Sequence, residues 1–183
     1  MTSTDSWHAE QDMDLLAEIG KVTVRWAALD LLLFQILTCV LENAEAAHKI
    51  IFNLQGAGLQ RLAAFNDTIG ASALSLEERS ALLDITRRCK DMIGERNDIV
   101  HSPMATHFVI SADFVRQTTV RMRKDGRTST VTVADIKKHT TKIGLILHEI
   151  EQIAHRLMLE KLSDCEYEAD WDDPTGQDRD IAM

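Results

Sequence analysis

Two prolines and eight glycines are few for a chain of 183 residues. Sandwiches and barrels need frequent turns, so this punctuation argues against an all-β architecture and suits long uninterrupted helices. The three cysteines, Cys39, Cys89 and Cys165, are odd in number and far apart, with no CxxC pair. Neither a disulfide framework nor a zinc ribbon is supported. The opening Met1-Thr-Ser-Thr-Asp-Ser-Trp7 has no basic stretch leading into an apolar run, unlike a secretory signal. The most apolar stretch, Trp26 to Leu41, is interrupted by Asp30 and Gln35 and is short for a bilayer span. A soluble, cytoplasmic protein with no membrane partner is expected.

What is present is an ordinary globular composition, 45% apolar and 27% charged, with a formal charge of −9. That is enough material for one domain with a real core. The charge is uneven. From Ser163 to Met183 eight acids face Arg179 alone, and the remaining 21 acids and 19 bases leave residues 1–162 at about −2. The low pI is therefore mostly a property of the tail and does not exclude an anionic partner for the body.

Residues 1–11 are polar and read as a flexible N-terminus. From Asp12 onward Leu15, Ile19, Val22, Trp26, Leu29, Leu33, Ile36 and Val40 recur at alternating spacings of four and three. This predicts one apolar stripe on a long helix. Leu31, Leu32, Phe34 and Leu37 widen the stripe, as in a helix central to the core or facing another subunit. Ala44 to Leu54 reads as a short second helix, and Gln55-Gly-Ala-Gly58 as punctuation: no strand precedes it and no Gly-Lys-Ser/Thr follows, so it is not a phosphate loop. Leu59 to Ile69 is a third helical segment, closed by Gly70.

Ser75-Leu-Glu-Glu78 is a capping box. It opens a helix with Leu82, Ile85, Cys89, Met92 and Ile99 on its seam, which Pro103 should stop at Ser102. The β-rich region follows: His107–Ser111, Phe114–Arg123, then Lys124-Asp-Gly-Arg127 and Thr128–Val133, with Asp-Gly as a hairpin signal. Whether residues 107–123 form one bent strand or two is open. In the last helix Ile136, Ile143, Ile150 and Leu157 recur every seven residues; after Leu162 the acidic tail, residues 163–183, is expected to be disordered. The fold class is therefore mainly α: an up-and-down bundle of four to five helices over residues 12–162, with a β-hairpin insertion at about 107–133 before the last helix.

The informative position breaks a pattern. Extending the fourth seam past Met92 by threes and fours reaches 96 and then 99; 99 is isoleucine, but 96 is arginine. A guanidinium on a packing face stays charged and is costly to desolvate unless it is paired. It needs an acid, a set of carbonyls or a bound anion. A salt bridge to Asp30, or extension past the apolar face into water, would be purely structural answers. Nearby, Asn97 and His101 lie one helical turn apart. Arg96 and His101 are about 140° apart on an ideal helix, so they converge only if the last turn loosens or if two copies meet across a two-fold axis.

Arg96-Asn97-x-x-x-His101, late in a helix of a helical bundle, resembles the Arg-x(4–6)-His motif of HEPN domains, where a polar residue directly after the arginine is typical. The resemblance covers residues 12–162, with the hairpin as an embellishment. It implies a metal-independent endoribonuclease acting as a homodimer, the motifs of both chains lining one cleft. Many such proteins are toxins or effectors of bacterial conflict systems, some with a neutralising partner protein; others bind RNA or nucleotides without cutting. Where relatives silenced by a nucleotidyltransferase carry a tyrosine two residues after the histidine, this chain has Pro103, so that modification is not carried over.

The chemistry agrees with the resemblance. Metal-free RNA cleavage needs a base for the 2′-OH, an acid for the 5′-oxygen and positive charge at the phosphorane. Histidine can fill either proton role, and its place at a helix C-terminus favours the imidazolium, suited to a donor. Arginine grips phosphate oxygens through paired N–H bonds. The expected site is Arg96 for phosphate stabilisation, His101 for proton transfer and Asn97 for positioning, with Glu95 and Asp98 pairing with the arginine when RNA is absent. No cofactor and no metal is called for.

Residues 116–142 carry eight cations against Asp125 and Asp135. Arg121, Arg123, Lys124 and Arg127 of the hairpin read either as a charged edge that discourages aggregation or as an RNA-binding arm. His148-Glu149-x-x-Gln152 lacks the second histidine of a zinc helix and reads as an exposed polar face. The competing reading for the whole chain is a non-catalytic helical dimerisation or partner-binding module with a structural Arg96.

Overall fold

The computed structural model describes residues 4–8, 13–53, 58–110, 115–122 and 126–167. The spacing of threes and fours becomes helix α1, Met13–Leu41, with Leu15, Val22, Trp26, Leu29, Leu33 and Ile36 buried as the pattern requires. Leu37 is also buried, whereas Leu31 stays half exposed, so only part of the widened stripe enters the core. α1 is long and apolar enough to cross a membrane on length and composition alone, which the interruptions at Asp30 and Gln35 had argued against. Its stripe is nevertheless built into the core, and its principal partner is α5, Val133–Tyr167.

Glu42, at φ 51°, supplies the left-handed residue that ends α1, and the Asn43 side chain then accepts from Ala46 N at 3.0 Å to start α2, Ala44–His48. The expected single helix over 44–54 is in fact α2 followed by a π-helical turn, Lys49–Asn53; Leu54 and the Gln55-Gly-Ala stretch lie outside the described residues. α3 spans Gly58–Gly70 and α4 Leu76–His101. The capping box is present in both directions: Ser75 N donates to Glu78 Oε2 at 3.1 Å and Glu78 N to Ser75 Oγ at 3.2 Å. The seam Leu82, Ile85, Cys89, Met92, Ile99 is buried, and burial pushes the Cys89 thiol up to about 12, which leaves it unreactive. α4 ends at His101 with Ser102 extended before Pro103.

The β region is a four-stranded antiparallel sheet in the order β1-β2-β3-β4. Residues 107–123 give two strands, β2 (Met104–Ile110) and β3 (Val115–Met122), and β4 is Thr128–Thr130. Gly126, at φ 78°, takes the conformation the Asp-Gly signal predicts in the β3–β4 connection. The N-terminus departs from expectation. Thr4–His8 is not a flexible end but β1, paired with β2 from Thr4↔Ile110 to His8↔Thr106. β3 occupies one edge of β2, and β1 satisfies the backbone groups on the other. Thr132 and Asp135 form a second reciprocal cap: Thr132 N donates to Asp135 Oδ2 at 3.0 Å and Asp135 N to Thr132 Oγ1 at 3.2 Å. α5 buries Ile136, Ile143, Ile150 and Leu157 and runs past Leu162 to Tyr167. The rest of the acidic tail, residues 168–183, lies outside the described residues.

Candidate functional site

The last two turns of α4 hold Arg96, Asn97 and His101 at the edge of the core. Arg96 is half-buried, with its guanidinium carbon 5.8 Å from the ring centroid of Trp26 on α1. Asp30, one turn further along α1, does not take this cation. Its carboxylate receives Arg61 of α3 instead, Nη1 to Oδ2 at 2.8 Å, with both side chains mostly buried. The salt bridge considered for Arg96 is thus made by another arginine. Burial raises the Asp30 carboxyl above its ordinary value, opposed first by Arg61 and then by Arg96. Burial pulls Arg96 below the usual arginine value; the Asp30 charge opposes this and Arg61 adds to it.

With no carboxylate on it among the described residues, Arg96 Nη1 donates to Asn97 Oδ1 at 2.9 Å and lies 3.0 Å from His101 Nε2. Its Nε is buried and has no hydrogen-bond partner among the described residues. The 140° separation on the helix is therefore closed within one chain. The arginine is long enough to reach along α4 to the exposed imidazole, so neither a loosened turn nor a second copy is needed for contact. An arginine only donates, so a hydrogen bond in this pair requires Nε2 to accept, which is the tautomer with its proton on Nδ1. That suits a proton acceptor, whereas the helix dipole had suggested a donor.

The supporting acids are placed differently from expectation. Glu95 faces away from Arg96 and lies with Oε2 3.0 Å from Nδ1 of His139 on α5. The two are close enough for an ion pair but not aligned for a hydrogen bond: the His139 ring is 1% exposed, and neither of its nitrogens is satisfied among the described residues. The geometry of a helix explains the split, since consecutive residues point about 100° apart. Asp98 is half-buried and makes no ion pair with Arg96. Of the hairpin cations, Arg121 donates Nε to Ser129 Oγ at 3.1 Å across β3 and β4 and borders a cleft with Glu95 and Asp135. Arg127 is exposed. Arg123 and Lys124 lie outside the described residues.

His148 lies 3.1 Å from Gln152 on the exposed face of α5, as read from the sequence. Among the described residues no three His, Cys, Asp or Glu side chains are grouped to hold a metal ion. Two participants escaped the sequence reading: Trp26, hidden as one more apolar residue of its stripe, and Arg61, which neutralises Asp30. No protein family matches the chain, and neither does any curated protein or solved structure.

Proposed function

We propose that this protein is a metal-independent endoribonuclease whose reacting groups are Arg96 and His101, positioned by Asn97. The observation that carries the reading is the Arg96 guanidinium: half-buried, with no carboxylate on it among the described residues, and in contact with an imidazole at an open helix end. Its neighbour Asp30 is already neutralised by Arg61, so the site's uncompensated charge is available to an anion. In the proposed reaction the scissile phosphate takes the arginine's N–H groups, which frees His101 Nε2. The imidazole removes the 2′-OH proton, the 2′-oxygen bonds to phosphorus, and the P–O5′ bond breaks. The 5′-oxygen takes a proton from water. The products are a 2′,3′-cyclic phosphate and a 5′-hydroxyl, with charge at the phosphorane offset by Arg96.

The wider reading follows the HEPN resemblance: a toxin or defence effector acting on cytoplasmic RNA, held by a neutralising partner, with two copies pairing so that the exposed ends of α4 line one cleft. The alternative is a non-catalytic dimerisation or RNA-binding module in which Arg96 only fills its pocket. The test uses purified protein and a mixed RNA substrate in EDTA. The nuclease reading predicts cleavage by wild type and loss of about 10²-fold or more in His101→Ala, with the fold retained. A wild type that leaves RNA intact and does not slow growth on expression would instead select the module.

A further inference from the structure

A second cationic feature lies on another face of the bundle, between α1 and the start of α5. Lys21, Arg25, Lys137 and Lys138 line an open cleft of about 490 Å³ that contains, among the described residues, one carboxylate, Glu18. Glu18 is 4% exposed and is itself engaged: Lys21 Nζ lies 2.6 Å from Oε1, and Thr140 Oγ1 donates to Oε2 at 3.5 Å. The bond from Lys21 is the first cause holding the Glu18 carboxyl below its ordinary value, so the acid stays ionised and cancels one of the four cations. Arg25 is fixed rather than loose. Its Nη1 donates to the Thr140 carbonyl at 2.6 Å and occupies a notch over Gly144, where a Cβ would come within 2.7 Å of it. Lys137 and Lys138 are exposed; the charge of Lys137 acts on Glu18 and that of Lys138 on Asp135. First-turn Ala134 borders the same cleft, so the N-terminal end of α5, partly offset by Asp135, faces it as well.

We infer that this α1–α5 cleft is a phosphate subsite that holds the RNA strand away from the bond being cut. Arg25 is the pinned anchor and Lys137 and Lys138 are mobile point charges on the backbone. Arg25 is adjacent in sequence to Trp26, over whose ring the Arg96 guanidinium lies, so α1 borders both cationic centres. The inference rests on the ribonuclease reading for its ligand, and it is a binding claim that can fail separately from that reading.

The test measures affinity of the full-length protein for a short fluorescent 2′-O-methyl oligoribonucleotide, which lacks the attacking hydroxyl, across a salt series. Lys137→Ala with Lys138→Ala removes two contacts. It is expected to weaken binding on the order of tenfold near 0.1 M salt and to lower the slope of log K against log salt by about 1.4. Lys90→Ala, an exposed lysine of α4 outside the cleft, should change neither. Arg25→Ala should weaken binding as well, and Gly144→Ala, which crowds the arginine, should follow it in the same direction. Unchanged affinity and slope in the double lysine variant would overturn the inference. So would a mononucleotide that displaces the oligonucleotide at equal phosphate concentration, because the cleft would then take isolated phosphates rather than a strand. If wild type binds through this cleft but never cuts cleavable RNA, the inference stands and the nuclease reading falls. Cleavage with unaffected binding does the reverse.

Discussion

Replacing Arg96 with methionine separates a working cation from a structural one. In the folded chain the substitution removes two hydrogen bonds from Nη1, to Asn97 Oδ1 and His101 Nε2, each worth about 1 kcal/mol net. It also removes the stacking on Trp26 at 5.8 Å, worth about 0.5–1 kcal/mol. Against this, it abolishes the buried, unpartnered Nε, a penalty of about 1–3 kcal/mol, and gives Trp26 a thioether contact of about 0.3–1.5 kcal/mol. At mid-range the terms cancel to within about 1 kcal/mol. Arg61→Met is the opposite case, because it strands Asp30 without its 2.8 Å partner in a pair about one quarter exposed. Removing one member of a buried pair costs about 3–5 kcal/mol, and discounting for exposure leaves about 2 kcal/mol. By calorimetry, at about 2–4 °C per kcal/mol for a chain of this size, Arg96→Met should stay within about 4 °C of wild type and Arg61→Met should fall by about 4–8 °C. Cleavage should drop by at least about 10²-fold in Arg96→Met. An Arg96→Met variant that melts as far down as Arg61→Met would mean that the arginine is part of the scaffold, and the argument for an available cation would be refuted.

Two further predictions concern stability. Glu78 is held below its ordinary value first by the Ser75 hydroxyl, and a carboxyl with a depressed folded-state value stabilises above its unfolded value and loses that contribution as pH falls through the folded one; urea midpoints should therefore decline below about pH 4.5, and Glu78→Gln should flatten that limb. His139→Leu removes two unsatisfied ring nitrogens from a fully buried position and should raise the melting temperature by about 2–4 °C for roughly 1 kcal/mol; a fall would mean that the contact with Glu95 is stabilising.

The helices were legible because their signals are local. The alternation of threes and fours in α1, the seam of α4, the heptad isoleucines of α5 and the Ser75–Glu78 box each specify a helix without reference to distant residues. β1 was not legible: Thr-Asp-Ser-Trp-His has one large apolar residue and no alternation, and its strand exists only because β2, a hundred residues away, offers an edge. The π-helical turn after α2 likewise leaves no mark in periodicity. At the site, the sequence exposed Arg96 as a cation on an apolar seam, and the structure keeps it there. It could not foresee that side-chain length would outweigh the backbone angle to His101, or that Arg61 would claim Asp30 and His139 would meet Glu95. Those outcomes depend on which helices become neighbours, which a single element's pattern does not encode.

The most direct measurement is the chemistry of the ends produced when purified protein meets a defined oligoribonucleotide in EDTA. Attack by the 2′-hydroxyl predicts 2′,3′-cyclic phosphate and 5′-hydroxyl termini, formed by wild type and not by His101→Ala, and no cut at a position carrying a 2′-deoxy sugar. Fragments ending in 3′-hydroxyl and 5′-phosphate, or RNA that stays whole, would contradict it.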